Sequence, residues 1–255
     1  MRALKRFPVA VQPYTIREAL AQDYAGSLER VAAIGYKGIE LGPPPEGMTV
    51  SAQKALLDRL GLRVIGTHAG FDTLDFDPDE IADYLEETDG GKFVTISLRF
   101  GSRQDVIEQA RKMNGIGEKF RRRGITFLYH NHDWEFAKFD GEYILDILLR
   151  ETDPELVQTE LDTYWIKKGG EDPAAYLSKL KGRAPLLHVK DMEAGDERFF
   201  AEIGEGIIDF AEVAGVAEQI GVQWLVVEQD LCRRDPFESL KISYGNLLKL
   251  GLVEP

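Results

Sequence analysis

The 255-residue chain is poor in the residues that staple a fold, cross a membrane or grip nucleic acid. Its single cysteine, Cys232, excludes an intrachain disulfide and a thiolate-based structural zinc site. No stretch approaches the roughly 18 uninterrupted apolar residues of a membrane span. The start, MRALKRFPVAVQPY, is basic but lacks the apolar core of a secretory signal. A cytoplasmic protein without a membrane partner is therefore expected. Acidic residues outnumber basic ones 44 to 31, and the formal net charge of -13 repels polyanions, so nucleic acid is not an expected partner. The one basic run, KFRRRG (119–124), closes a helical segment, where cations complement the negative end of the helix dipole. Neither a P-loop nor a dinucleotide-binding glycine pattern occurs, and no low-complexity linker divides the chain.

What is present is 44% hydrophobic and 29% charged, enough for one large core. Eight apolar, β-rich runs recur: FPVAVQ (7–12), GIELG (38–42), LRVIGTH (62–68), FVTISLRF (93–100), ITFLYHNH (125–132), LVQTELD (156–162), PLLHVKD (185–191) and QWLVVEQD (223–230). Each is followed by a segment with apolar residues at i, i+3, i+4 spacing, most of them stopping near glycine or aspartate. Strict alternation argues for a parallel sheet wound with helices. Eight units without a break predict a single (β/α)8 TIM barrel over 1–255, since such barrels commonly use about 250 residues as one domain.

That architecture places chemistry at the C-terminal ends of strands. The chain has four histidines, His68, His130, His132 and His188, and all fall at or near such ends. Glu40, Asp162 and Glu228 do the same. Carboxylates that follow apolar runs are partly buried, and a shared cation offsets the cost of that burial. Glu135, Asp162, His188 and Glu228, from the fifth to eighth units, form the candidate ligand set. It is hard and oxygen-rich, suiting Mn2+ first and then Mg2+, Co2+ or Zn2+. His130 or His132 is placed to move a hydroxyl proton. Lys190 either donates to a developing oxyanion or pairs with Asp191 or Glu160. His68 and Glu40 are candidates for sugar hydroxyls, Glu40 alternatively pairing with Arg17 or Arg99. Among Tyr14, Phe71, Trp134, Tyr164 and Trp165, the two tryptophans Trp134 and Trp165 are the candidates to face a sugar ring. The run IGEGIIDF (203–210) lies where barrels often bind phosphate, but its Glu205 opposes an anion, which favours an unphosphorylated substrate.

The runs GYKGIELG, YHNHDWEF, LDTYWIKKGGEDP, PLLHVKDM, EIGEGIIDF and VVEQD resemble, in order, those of the sugar phosphate isomerase/epimerase group of the xylose isomerase-like TIM-barrel superfamily, which includes inosose dehydratases and ketose 3-epimerases. The resemblance implies one divalent metal on Glu135, Asp162, His188 and Glu228, with Glu135 and Glu228 as acid and base on opposite faces of the sugar. The chain departs from the epimerases by reading NHDWE where they have an Asn-Arg-aromatic run before the glutamate. His130 and His132 thus stay open as the fifth-strand ligand. The expected activity is isomerisation or epimerisation of a small sugar or cyclitol through a metal-stabilised enediolate. The alternatives are a lyase acting on an inosose or 3-keto-glycoside, and a catalytically silent sugar-binding barrel. A homo-oligomer is compatible with such a barrel, and no single stretch marks its interface.

Overall fold

All eight apolar runs become parallel strands of one closed barrel in the computed structural model, which describes residues 5–254. The strands are β1 (Val9–Val11), β2 (Gly38–Glu40), β3 (Arg63–Phe71), β4 (Phe93–Ser97), β5 (Thr126–His130), β6 (Val157–Asp162), β7 (Leu186–Val189) and β8 (Trp224–Val227). Each pairs with the next in sequence, and β1 closes the ring on β8 through Val9↔Leu225, Ala10↔Val226 and Val11↔Val227. Strands such as β4 are buried at every residue, as a parallel sheet covered by helices requires.

The intervening helices start and stop where local chemistry allows. Ser102 caps the helix Arg103–Arg122 by accepting from the Asp105 N–H, and Gly61 ends Val50–Leu60 in the left-handed conformation. Periodicity did not point to the short helix Thr163–Lys168, which follows β6 directly and is capped by the side chain of Asp162. Nor did it point to two small hairpins, Lys138–Phe139 with Glu142–Tyr143 and Asp191–Met192 with Phe200–Ala201. Among the described residues no helix is long and apolar enough to cross a membrane.

Inside the barrel, Ala10, Ile65, Phe93, Leu128, Leu186 and Val226 pack as an apolar plug backed by Trp224. Side chains two residues apart on a strand share a face, so the next inward positions are Gln12 after Ala10, His130 after Leu128, His188 after Leu186 and Glu228 after Val226. A polar layer therefore sits directly on an apolar floor. The strand ends around it are clamped crosswise. Ser97 Oγ donates to the His130 carbonyl at 2.9 Å, and Asn131 Oδ1 accepts from the Asp162 N–H at 3.0 Å. Thr163 Oγ1 bonds both the carbonyl and the N–H of Lys190.

Gly91 packs against the backbone of β3. A Cβ there would lie 1.7 Å from the Ile65 carbonyl oxygen, which is held in the sheet, whereas a Cβ on Gly101 meets nothing within 4 Å. Gly91→Ala is expected to lower unfolding free energy in urea by about 3 kcal/mol. Gly101→Ala is expected to stay within about 0.5 kcal/mol of the parent.

Candidate active site

The polar layer brings His130, Asp162, His188 and Glu228 together, with one ligand atom from each lying within 4.8 Å of the others. All four are buried. His188 Nδ1 is 3.0 Å from Glu228 Oε2 and 3.9 Å from Asp162 Oδ2. Lys190, also buried, is the next inward residue after His188. Its Nζ lies 2.6 Å from Glu228 Oε2, 2.7 Å from Asp230 Oδ2 and 3.1 Å from Asp162 Oδ2. Neither Asp191 nor Glu160 is its partner, because Lys190 points up the barrel axis while Asp191 points away from it.

The Asp191 carboxylate instead accepts the backbone N–H groups of Met192, Gly204, Gly206 and Ile208. The glycine-bearing run after β7 thus does form an anion cradle, and the anion is the chain's own side chain. Gly206 is required there, since a Cβ would sit 2.3 Å from Asp191 Oδ1. An external phosphate has no N–H groups left to collect at this point.

Glu135 is not brought to the cluster. The 3-10 turn Trp134–Phe136 carries it off the strand, where one oxygen takes a short hydrogen bond with Tyr129 Oη and the other accepts from the His132 N–H at 2.8 Å. The fifth-strand residue that stands among the donors is His130. Burial pushes the Glu135 carboxyl up to about 8, against the lowering effect of Tyr129. A neutral carboxyl also fits the local proton count: its O–H can donate to Tyr129, whose own O–H then donates to the Leu98 carbonyl at 3.0 Å.

The electrostatics of the other groups follow from who faces whom. Burial opposes the charge of Glu228, but the Lys190 ammonium and His188 beside it hold the carboxyl at about 2. Burial raises Asp162 to about 6 despite Lys190 and His188. His132 is pushed down to about 3 by burial and by Lys190, so its ring is neutral. Burial also opposes the Lys190 charge, yet Asp162, Asp230 and Glu228 hold the ammonium well above its ordinary range.

A cavity of about 460 Å3 opens over this layer between Tyr14, His68, Phe71, His132, Trp134 and Lys190. His132 stacks on Trp134 with ring centroids 3.9 Å apart, and the Arg99 guanidinium lies over the same indole at 4.0 Å. Trp165 stands behind His132 at 5.3 Å rather than on the cavity wall. Glu40 lies deeper, bonded to Gln12, His68 and His188; Arg17 bonds the carbonyls of Tyr14 and Asp230 and Arg99 pairs with Asp72, so neither arginine reaches it. Asp230, Gln12 and Glu160 are site residues that the strand-end rule passed over. The readable signal for each was its two-residue offset from a recognised position: Asp230 from Glu228, Gln12 from Ala10 and Glu160 from Asp162.

The donor set fits a divalent cation. His130 Nδ1 is buried without a hydrogen-bond partner, an expensive state that coordination would relieve. Comparison with known proteins agrees with the architecture. A family profile described as xylose isomerase-like TIM barrel matches residues 28–236. Inosose dehydratase of Lacticaseibacillus casei is 24% identical, the alignment covering 83% of this chain and 84% of that protein. A sugar phosphate isomerase/epimerase structure from Parabacteroides distasonis superposes with a TM-score of 0.78 at 25% identity, covering 97% of this chain and 94% of that one. The IOLI protein, solved with a bound zinc atom, superposes at 0.74 with 12% identity over 96% and 98% of the two chains.

Glu135 sets a pH dependence of stability. Its folded value of about 8 lies above the ordinary 4.5, so the folded chain binds the extra proton between those limits. That contribution is fully present below about 4.5 and is lost as pH rises through about 8. In urea melts, wild type is expected to lose stability relative to Glu135→Gln across this window by up to about 1.4 kcal/mol per pH unit. Parallel curves for the two proteins would show that Glu135 is ionised in the fold.

Proposed function

The chain belongs to the xylose isomerase-like TIM barrel family, and on that footing we propose that it is a divalent-metal-dependent lyase that removes water from a small keto sugar or cyclitol. The similarity to inosose dehydratase along most of the chain supports this reading. The observation that carries the choice of elimination is the one-sided placement of carboxylates. Glu228 and Asp230 follow β8 on one wall of the cavity, while the facing wall holds the imidazoles of His130 and His132, with Glu135 tied away.

His130, Asp162, His188 and Glu228 would hold the cation. Two imidazoles and two carboxylates make a softer set than the three carboxylates and one imidazole expected from sequence, which moves the preference from Mg2+ toward Zn2+, Co2+ and Mn2+. When bound, the cation supplies Lewis acidity toward a substrate carbonyl. Glu228 is ionised and takes the proton from the carbon beside that carbonyl. The same carboxyl returns the proton to the departing β-hydroxyl, so the C–H and C–O bonds break on one face, a C=C bond forms and water leaves without net proton release. Lys190, fixed between three carboxylates, donates to the oxygen on which negative charge develops. Trp134 with His132 stacked on it presents an aromatic face to the C–H side of the ring, and His68 reaches the cavity to bond a hydroxyl.

Isomerisation or epimerisation is the second reading, favoured by the 25%-identical Parabacteroides structure. Inversion requires proton return from the wall opposite Glu228, where His132 is the group on hand.

The test is a panel of keto-inositols and 3-keto-glycosides followed by NMR in D2O. Dehydration is expected to give an olefinic product with metal added and none without it. Glu228→Gln is expected to lower turnover by on the order of 10^2- to 10^4-fold, and the pair Asp162→Ala/His188→Ala to lose the metal. Deuterium incorporation without loss of water would replace the lyase with an epimerase or isomerase. Metal binding with no exchange on any member of the panel would turn the reading to a silent sugar-binding barrel.

A further inference from the structure

Beneath the cavity lies a second cluster, built on two carboxylates, Glu40 and Glu160, that the proposed reaction does not use. Glu160 precedes Asp162 by two residues on the inward face of β6, and it is fully buried with no hydrogen bond of good geometry on either carboxylate oxygen. Glu40, from the end of β2, is buried with Oε1 likewise unpartnered. Two imidazoles aim the same nitrogen at this pair of carboxylates. His68 Nε2 is 3.1 Å from Glu40 Oε2 and 3.1 Å from Glu160 Oε2. His188 Nε2 is 2.9 Å from Glu40 Oε2 and 3.2 Å from Glu160 Oε1.

Protons satisfy this arrangement poorly. Each Nε2 carries at most one hydrogen, yet each faces two carboxylates, and Glu160 is left with two oxygens that no donor serves in good geometry. A fully buried carboxylate whose only donors are shared and poorly aligned is costly for a fold to keep. Four donor atoms converging within 4.8 Å of one another suit a cation that bonds all of them at once.

We propose that Glu40, His68, Glu160 and His188 form a second divalent-cation site, distinct from the one at the cavity floor. Its donors match the upper set in kind, two imidazoles and two carboxylates, and differ in where they lie. All four donors come from the protein and three of them are buried, His68 alone being about a third exposed at 30%. Only His68 of these four lines the cavity, which leaves the other three donors away from substrate as a structural Zn2+ site requires, whereas His130 and Glu228 of the upper set both open on the cavity as a catalytic site must. His188 joins the two, presenting Nε2 downward and Nδ1 upward. Filling both positions removes both ring protons, so the second equivalent is expected to bind at least about tenfold more weakly than the first.

The full-length protein, stripped with chelator and reloaded with Zn2+, is analysed for metal content, with Co2+ absorption as a second readout. Two equivalents are expected in wild type, one in Glu160→Gln, one in His68→Gln and one in Asp162→Asn. The visible bands of four-coordinate Co2+ are expected to vanish in Glu160→Gln and persist in Asp162→Asn. Circular dichroism of each variant establishes that it folds, and the wild-type stoichiometry stands whether or not a variant does. At most one equivalent in wild type, unchanged by Glu160→Gln, would overturn the proposal and leave protons holding the quartet. A single equivalent lost in Glu160→Gln but kept in Asp162→Asn would uphold the deep site and remove the upper one from the proposed reaction.

Discussion

The inside of this barrel depends on His188. Its ring is wholly buried, and both of its nitrogens face carboxylates: Nδ1 toward Glu228 at 3.0 Å, Nε2 toward Glu40 at 2.9 Å. A neutral imidazole has one proton to offer and two acceptors to satisfy. Burial opposes a charge on the ring, but Glu160 and Glu40 outweigh it and hold the ring protonated well above its ordinary range. Charge therefore has to be supplied to the interior by His188 itself, by its neighbour two residues on, Lys190, or by a cation. Five acidic residues from three strands, Glu40 of β2, Glu160 and Asp162 of β6, and Glu228 and Asp230 just past β8, surround these two positions of β7, and this concentration makes the site sensitive to any change in it.

Such a concentration needs a rigid frame, and the frame is built from polar residues that point between the strands rather than into the cavity. Ser97, Asn131 and Thr163 each reach to the neighbouring strand end, and Thr15 Oγ1 does the same for the Gln229 N–H at 2.9 Å. Individually such bonds contribute about 1 kcal/mol. Their larger effect is on direction. Asn131 separates His130 from His132 in the chain and ties β5 to β6 just where Asp162 begins, so both imidazoles and the aspartate are aimed together. The floor of Leu128, Leu186 and Val226 excludes water from below, which strengthens each charge interaction above it.

Much of this was legible in the sequence because a parallel barrel converts strand order directly into position. Eight apolar runs, six of them carrying histidine, carboxylate or both at or near their ends, were enough to place His68, His130, His188, Asp162 and Glu228 at one end of one barrel. Side-chain direction past a strand end was not legible. Glu135 follows His130 by only five residues, but the turn Trp134–Phe136 rotates it behind Tyr129, and nothing in HNHDWE distinguishes that outcome from a ligand. Glu160 was passed over for the opposite reason. The strand-end rule stops at Asp162, although a two-residue period sends Glu160 to the same face one layer down. Asp191 shows a third limit, since a cradle of backbone N–H groups reads alike in sequence whether its anion is a ligand or a side chain.

The same geometry limits the stereochemistry available to any substrate. Lys190 Nζ is 2.6 Å from Glu228 and 2.7 Å from Asp230, so the ammonium and the two carboxylates of that wall act from one side of whatever rests against Trp134 and His132. The opposite wall offers neutral imidazoles, His132 being held at about 3 by burial and by Lys190, too low to store a proton near neutrality. A reaction that takes and returns a proton on one face needs only the wall that is furnished; one that inverts a centre needs a donor on the wall that is not. The proposed elimination, with both departing groups on one face, therefore asks least of the residues present, and the tying of Glu135 to Tyr129 removes the second carboxylate that a two-carboxylate epimerisation would use.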